Sequence, residues 1–467
     1  MKITIHNLGP IHCCQFDTAK SFQVVLGKNS VGKSYALTFV YIIIKTLLAL
    51  PDVLTSRSRI EPIIDQTPFD QQLKRLVPYK EYEPRNVTGV MDDLLRLLFD
   101  AFLSEHLREP IASSFGGVAT LGNQYSPEAF RVEIEAERHR IELGIHEERI
   151  CVTKVACGTY WSKRMRTNRW PEDTSSVRML FVNSDLSKTR ALVVREATDI
   201  LRQVAKELSA DIGGIYYLPA IRSGLYQALS GLGPIVAELS KSRSLVTREI
   251  SLPYLTTPQN DYFLTMSRMS TTDVQTAHPL LLGLAQSIEE DIAGGRIDLD
   301  ADSNRLVFTP ATTSLRLDLG ATSSMVSQIA PLVAYCRYVL GKTQLQSAHG
   351  SADASPPSAM IIIEEPEAHL HPQAQVQLVE QLAALSRIGI KVVLTSHSDY
   401  LFNKVSNLVS AGVLASESVS ATLFTMGEHG SEGKSLAIDG YGIDDENFVE
   451  VAEALYMEKA EALADDA

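Results

Sequence analysis

The sequence predicts an α/β fold on a mixed sheet with helical insertions, and three observations carry that prediction. A short apolar strand, SFQVVLG, runs into the glycine-rich turn GKNSVGKS and then into a long apolar helix. Residues 359–363, 372–388 and 390–395 read as strand, helix and strand, the alternation of a parallel sheet. Residues 129–157 are rich in β-formers with partial alternation, which predicts short antiparallel strands and makes the sheet mixed.

Taken in order, MKITIHNL and SFQVVLG are the first two strands, and the helix after GKNSVGKS is expected to stop at Pro51. Residues 51–115 read as mostly helical, and a further helix is expected over 191–209. GGIYYLPAIR (213–222) is a buried strand ending at Pro219. Residues 223–292 look helical and irregular, and 295–320 form a strand series. From Met325, the residues Ile329, Leu332, Cys336 and Val339 repeat at helical spacing, and Pro331 predicts a kink or a late start. SAHGSADASPPS (347–358) reads as a flexible loop. The 372–388 helix has Pro372 at its start, Leu378, Leu382 and Leu385 on one face, and Gly389 after it. FVEVAEALYMEKAEALADDA (448–467) reads as an amphipathic helix.

A length of 467 residues suggests about three domain-sized units. The chain is 45% hydrophobic and 21% charged, ordinary for a globular protein with a sizeable core. A net charge of −13 argues against binding a phosphate backbone over the whole surface, and leaves room for a local basic groove. The five cysteines, Cys13, Cys14, Cys151, Cys157 and Cys336, form no CxxC pair. Their odd number fits a reducing cytosol better than a disulfide framework or a zinc site. MKITIHNLGP lacks the apolar run of a signal peptide, and FVYIIIKTLLAL (39–50) is too short to span a bilayer and carries Lys45. A cytoplasmic protein without membrane contact is the expectation.

GKNSVGKS (27–34) fits G-x-x-x-x-G-K-[ST], a phosphate-binding loop. Gly27 and Gly32 let the backbone curl so that its N–H groups converge on phosphate oxygens. Lys33 reaches the outer phosphates, the Ser34 hydroxyl can hold Mg²⁺, and the following helix points its positive end at the same anion. Gly27, Lys28, Asn29, Ser30, Gly32, Lys33, Ser34 and Tyr35 are the predicted ATP contacts.

IIIEEPEAHLHP (361–372) runs a dry strand into two adjacent carboxylates. A buried, unpaired carboxylate is expensive. A bound nucleotide supplies a reason for both: one acid holds the metal and the second orients or deprotonates the attacking water. Glu364 is assigned to the metal and Glu365 to the water, against the plainer reading of a surface pair at a strand end. His369 and His371, with Glu367 two residues before them, have spacing compatible with zinc, but no third ligand follows at a typical spacing. The plainer reading makes them loop residues, with His371 near the helix start. His397, in LTSHSD after the next strand, sits where a parallel strand faces the ligand crevice and could hydrogen-bond the γ-phosphate.

Together, GKNSVGKS, LGATSSMVSQIAPL, MIIIEEPEAHLHPQAQ and VVLTSHSDYL resemble the ABC-class ATPase heads of the OLD/RecF/SMC-like branch. The resemblance is closest to stand-alone bacterial ATPases such as the Septu and PARIS defence subunits. It covers the opening 50 residues and about 213–445. It implies an ABC-type P-loop ATPase head that hydrolyses ATP to ADP and phosphate with Mg²⁺. Residues 1–222 would be its N-terminal part with a helical segment near 51–115, residues 223–292 a helical insertion, and residues 293–467 the C-terminal part. Residues 27–34 match the Walker A loop, Glu364 the Walker B acid, Glu365 the catalytic glutamate, AHLH (368–371) the D-loop and His397 the switch histidine. Lys33, Glu365 and His397 are thus the implied catalytic set. TSSMV (322–326) occupies the signature position. In this class that loop contacts the γ-phosphate of the opposite protomer, so Ser323 and Ser324 would act in trans in a head-to-head dimer. YLPAIR (217–222) also resembles a stretch of this branch and would have Arg222 face the site.

The sequence departs from the family at Glu364, where Asp is usual, and at Met325, where many signature loops carry Gly. A side chain at 325 would hinder close backbone approach to phosphate. No long heptad tract fills the interval between Ser34 and Ala321, so no extended coiled coil is expected. WSKRMRTNRW (161–170) sets Lys163, Arg164, Arg166 and Arg169 between the two tryptophans, which suits nucleic-acid backbone contact with base stacking, docking of an acidic partner, or a solvated loop. The leading expectation is a regulatory ATPase that gates a separate effector, a nuclease, in antiphage defence. The competing one is a RecF-like maintenance ATPase that binds DNA directly, with a transporter motor ranked third.

Overall fold

The computed structural model describes residues 1–53, 62–65, 69–78, 83–136, 139–157, 179–228, 255–341, 359–444 and 456–459. The basic WSKRMRTNRW stretch, the 347–358 loop, the middle of the 223–292 segment and most of the C-terminal helix lie outside them. The chain divides into two compact units, one of Met1–Thr18 and Ile42–Asp211, the other of Ala19–Tyr41 and Ile212–Ala467.

In the first unit, β1 (Lys2–Leu8) and β2 (Ile11–Asp17) form a hairpin through Gly9, whose φ is +53°. With β3 (Phe22–Gly27) and α1 (Lys33–Val53) following, the next helices are α2 (Phe69–Lys74) and α3 (Thr88–Phe115). The described residues of 51–115 are therefore largely helical as expected, but a strand, β4 (Glu83–Asn86), lies among them and pairs with β8 (Met179–Val182). Local propensity carries no trace of a partner so distant in sequence. The expected strands of 129–157 are β5 (Arg131–Glu135), β6 (His139–His146) and β7 (Arg149–Cys157), antiparallel in the order β7-β6-β5-β1-β2. α3 is tied to β7 by Ser104, whose Oγ donates to the Ile150 carbonyl at 2.7 Å, and by Asp100, which accepts from the Val152 N–H at 2.7 Å. The helix predicted over 191–209 is α4 (Leu186–Ser209), capped by Asp185.

The second unit holds a sheet ordered β16-β15-β3-β14-β13-β9, formed by β9 (Ile215–Leu218), β13 (Ala359–Glu364), β14 (Ile390–Thr395), β15 (Val419–Gly427) and β16 (Gly430–Ser435) around β3. All but β16 run parallel. Ile361, Ile362 and Ile363 are 0–1% exposed, and burying each such side chain is worth about 2–3 kcal/mol. Helices α5 (Thr257–Ser267), α6 (Pro279–Ile288), α7 (Ser324–Ala334), α8 (Pro372–Arg387) and α9 (Asp399–Ser410) complete the unit. So do a three-stranded sheet of β10 (Gly295–Leu299), β11 (Leu306–Pro310) and β12 (Leu317–Asp318), and the ribbon β17 (Ile438–Asp439) and β18 (Gly442–Ile443).

Prolines mislead the sequence reading twice. α1 runs through Pro51 to Val53, taking the proline in its last turn rather than stopping before it. α7 starts at Ser324, well before Pro331, and continues through it into a π-helical turn at Tyr335–Val339. Every α7 residue from Val326 to Ala334 is buried, so packing on all sides offsets the bond lost at the proline. Lys33–Pro51 is long and apolar enough to cross a membrane by composition, but Phe39, Ile42, Ile43, Ile44 and Leu47 are buried within the protein.

Candidate active site

The carboxyl ends of β3, β14 and β13 lie side by side, with Thr395 opposite Val25 and Glu364 opposite Thr395. The residues that leave these strands therefore converge on one edge, where parallel sheets hold their ligands. Gly27, Ser30 and Gly32 have φ of +137°, +63° and +91°, so the GKNSVGKS loop curls tightly before α1 begins at Lys33. Gly27 is required twice over. Its φ is one that L-residues rarely adopt, and an added Cβ would lie 2.5 Å from the Phe424 carbonyl oxygen.

Lys33 is buried under this loop. Its Nζ donates to the carbonyls of Gly27 and Lys28, both at 2.8 Å, and lies 2.9 Å from His397 Nε2. An ammonium has only protons to offer, so Nε2 accepts and the imidazole proton sits on Nδ1. Burial pulls the Lys33 pKa down to about 8, against the opposing pull of Glu365 and Glu367. Burial and then the Lys33 charge lower that of His397, which favours the neutral ring.

The two adjacent glutamates are placed differently. Glu364 is 8% exposed, and its Oε2 accepts from the Ala220 N–H at 3.1 Å. Burial and the Glu364 charge push the neighbouring Tyr217 hydroxyl well above its usual pKa. Glu365 turns out of the strand at φ +42°, an uncommon conformation for a residue with a side chain. Its N–H is shared between the Thr395 carbonyl and hydroxyl, both at 3.1 Å, and its half-exposed carboxylate lies 3.8 Å from His397 Nε2.

Two other residues hold this edge together. Glu367 is 8% exposed; its Oε1 accepts from Ser396 Oγ at 2.7 Å and from the His397 N–H at 2.9 Å, which ties the loop after β13 to the turn after β14. Burial raises the Glu367 pKa. Arg222, expected to face the site, is instead 2% exposed, and every hydrogen bond seen on its guanidinium goes to a backbone carbonyl. Burial lowers its pKa to about 10.

The structure thus brings together the 27–34 loop, Lys33, Glu364, Glu365 and His397, with Ser34 exposed and Tyr35 half-buried in the first turn of α1. Ser323 and Ser324 lie exposed on a different element, the start of α7, where Ser323 Oγ caps the helix by accepting from the Val326 N–H at 3.3 Å. Met325 is partly buried against the core of the second unit. His371 caps α8 by accepting from the Gln373 N–H, and His369 has φ +64°. Both are loop residues, as the plainer sequence reading had them.

A family model described as "AAA domain, putative AbiEii toxin, Type IV TA system" matches residues 350–403, which include β13, the two glutamates, α8, β14 and His397. The chain has an α/β fold in which the glycine-rich 27–34 loop joins a parallel strand to a helix. No match to a curated protein was found. Similar solved structures include an Smc head bound to the C-terminal winged-helix domain of ScpA, at 12% identity and TM-score 0.39, over 94% of this chain and 98% of that one. Another is an Smc head with an extended coiled coil bound to the C-terminal domain of ScpA, from Pyrococcus furiosus, at 12% identity and TM-score 0.38, over 98% of each chain. A third is the SMC head from Thermotoga maritima, at 10% identity and TM-score 0.34, over 94% of this chain and 98% of that one.

Proposed function

We propose that this protein is a cytoplasmic ABC-class ATPase of the OLD/RecF/SMC-like branch that uses ATP to gate a separate effector in antiphage defence. The observation that carries the ATPase reading is the convergence of the curled 27–32 loop, buried Lys33, Glu365 and His397 on one sheet edge. A loop with repeated positive φ turns successive N–H groups inward, the geometry of an anion nest. Lys33 then exchanges its loop carbonyls for phosphate oxygens, with a charge already partly desolvated and so strongly felt by a polyanion.

Glu365 is the group that orients and deprotonates the attacking water, and His397, neutral and close to both Lys33 and Glu365, takes the Nε2–H tautomer and donates to the outer phosphate once Lys33 has turned to the nucleotide. Among the described residues no group of three or more His, Cys, Asp or Glu side chains could hold a metal alone. The Ser34 hydroxyl and Glu364 carboxylate offer oxygen ligands of the kind Mg²⁺ shares with nucleotide phosphates, so these two would hold it. When bound, Mg²⁺ neutralises phosphate charge. Ser323 and Ser324, exposed at the positive end of α7, serve the nucleotide of a second copy in an ATP-closed dimer. The defence role rests on the family resemblance and is in keeping with the toxin–antitoxin description of the matching family model.

Lys33→Ala tests the nucleotide site. Loss of a charge-assisted contact is expected to weaken ATP binding by about 10- to 100-fold, read by titration calorimetry. Unchanged affinity would remove the loop from the site. Ser323→Arg tests the trans contact. Nucleotide binding by the isolated chain should be kept, while turnover and ATP-dependent dimerisation, followed by light scattering, are lost. A fully active variant would mean that α7 does not serve a partner.

A further inference from the structure

Among the described residues, the Arg222 guanidinium hydrogen-bonds backbone carbonyls rather than carboxylates, although Glu364, Glu365 and Glu367 lie nearby. Its Nε donates to the Gln328 carbonyl at 3.0 Å. Nη1 donates to the carbonyls of Pro219 at 3.3 Å and Glu364 at 2.9 Å. Nη2 donates to that of Glu365 at 3.3 Å, with a longer approach to Pro366 at 3.5 Å. One planar fork therefore joins three segments: the end of β9, the interior of α7 and the peptides on either side of Glu365. Its own backbone is held in turn, because the Tyr262 hydroxyl donates to the Arg222 carbonyl at 2.9 Å.

This matters for Glu365 because that residue sits at φ +42°, a conformation that persists only when its surroundings over-determine it. Thr395 fixes the peptide on its N-terminal side through the shared Glu365 N–H. Arg222 fixes the carbonyls of Glu364 and Glu365. The same guanidinium reaches α7 at Gln328, one turn from Ser323 and Ser324 at its head.

We propose that Arg222 is a positioning residue for Glu365, holding its left-handed backbone in place and linking it mechanically to the helix headed by Ser323 and Ser324. This rests on the reading of the site as an ATPase. Arg222 touches no reacting atom in this role. It sets where the Glu365 carboxylate points, and a movement of α7 on engagement with a second copy would reach that carboxylate through the fork. Lysine cannot replace it, because a single ammonium cannot span carbonyls on three segments.

The test is Arg222→Lys in the full chain, with kcat, KM and ATP affinity measured at a temperature where circular dichroism shows the variant folded. A displaced Glu365 should lower kcat by about tenfold or more while ATP affinity stays within about threefold, since misplacement of a catalytic group by even 1 Å is costly. A folded variant with wild-type kcat overturns the proposal, and so does one that loses ATP affinity together with turnover, which would make Arg222 part of phosphate binding. If Arg222→Lys does not fold, Tyr262→Phe carries the test by releasing the Arg222 backbone. A fall in kcat at unchanged affinity supports the proposal and an unchanged kcat overturns it. A wild-type protein that binds no ATP overturns the ATPase reading as well, which separates the two failures.

Discussion

Glu365→Gln is expected to bind ATP with near wild-type affinity and to turn it over about 100-fold more slowly or less. The amide keeps the shape of the side chain and loses its basicity, and general-base catalysis contributes about 10²–10⁴-fold. The Glu365 carboxylate is half-exposed and, among the described residues, its nearest charged neighbour is His397 at 3.8 Å, so its charge is open to water. Nucleotide affinity should survive because Lys33 and the curled loop are untouched. Single-turnover measurements separate the steps: binding should be normal and product formation slow. If the variant turns over normally, another group positions the water, and His397 becomes the first candidate.

Gly27→Ala is expected to have the largest effect on stability. A non-glycine residue at φ +137° is strained by about 1–3 kcal/mol. The added methyl would also lie 2.5 Å from the Phe424 carbonyl oxygen, which β15 holds in place as the neighbour of β3. The two costs together should lower stability by about 2–4 kcal/mol, or several degrees in melting temperature for a protein of this size. The variant should also lose the rise in melting temperature that ATP gives the wild type, because a displaced loop no longer presents its N–H groups. A melting temperature equal to the wild type's would show that the loop and β15 yield more easily than their backbone geometry implies.

The parallel part of the sheet was legible because its strands carry their own evidence. IIIEE and VVLTSH are apolar runs that end abruptly in polar residues, and GKNSVGKS has few uses other than a phosphate loop. The antiparallel strands of 131–157 were legible from their β-forming residues and partial alternation. What was hidden depends on partners distant in sequence. The strand at Glu83–Asn86 exists because Met179–Val182 pairs with it. Pro51 was read as a helix stop and Pro331 as a kink or a late start, and tertiary packing carries both helices through these residues.

At the candidate site, residue identity pointed to the groups proposed to do the chemistry but not to those that hold them. Glu367 was visible only as one more acid in EEPEAH, and nothing local says that its carboxylate ties down Ser396 and His397. Arg222 was expected to face the site only because YLPAIR resembles a stretch of the family. Its true partners are backbone carbonyls, which no sequence pattern marks. The one available signal was that TSHS and EEPE place hydroxyl and carboxylate groups at corresponding strand ends, which invites a cross-link.

The order in which the strands of the catalytic unit are synthesised has a consequence for biogenesis. β3 is made at residues 22–27, yet the strands on either side of it arrive only at 390–395 and 419–427. Throughout most of translation this fully buried strand and the loop behind it have no edge to pair with, while β1, β2, β5, β6 and β7 have all been made by residue 157. The ribosome therefore releases a chain whose first compact unit can form early and whose phosphate-binding strand must wait. That delay is an aggregation hazard, since unpaired apolar strands recruit one another. It also means that the curled 27–34 loop gains its neighbours on the sheet only after β14 and β15 have emerged, so the proposed nucleotide site is assembled last.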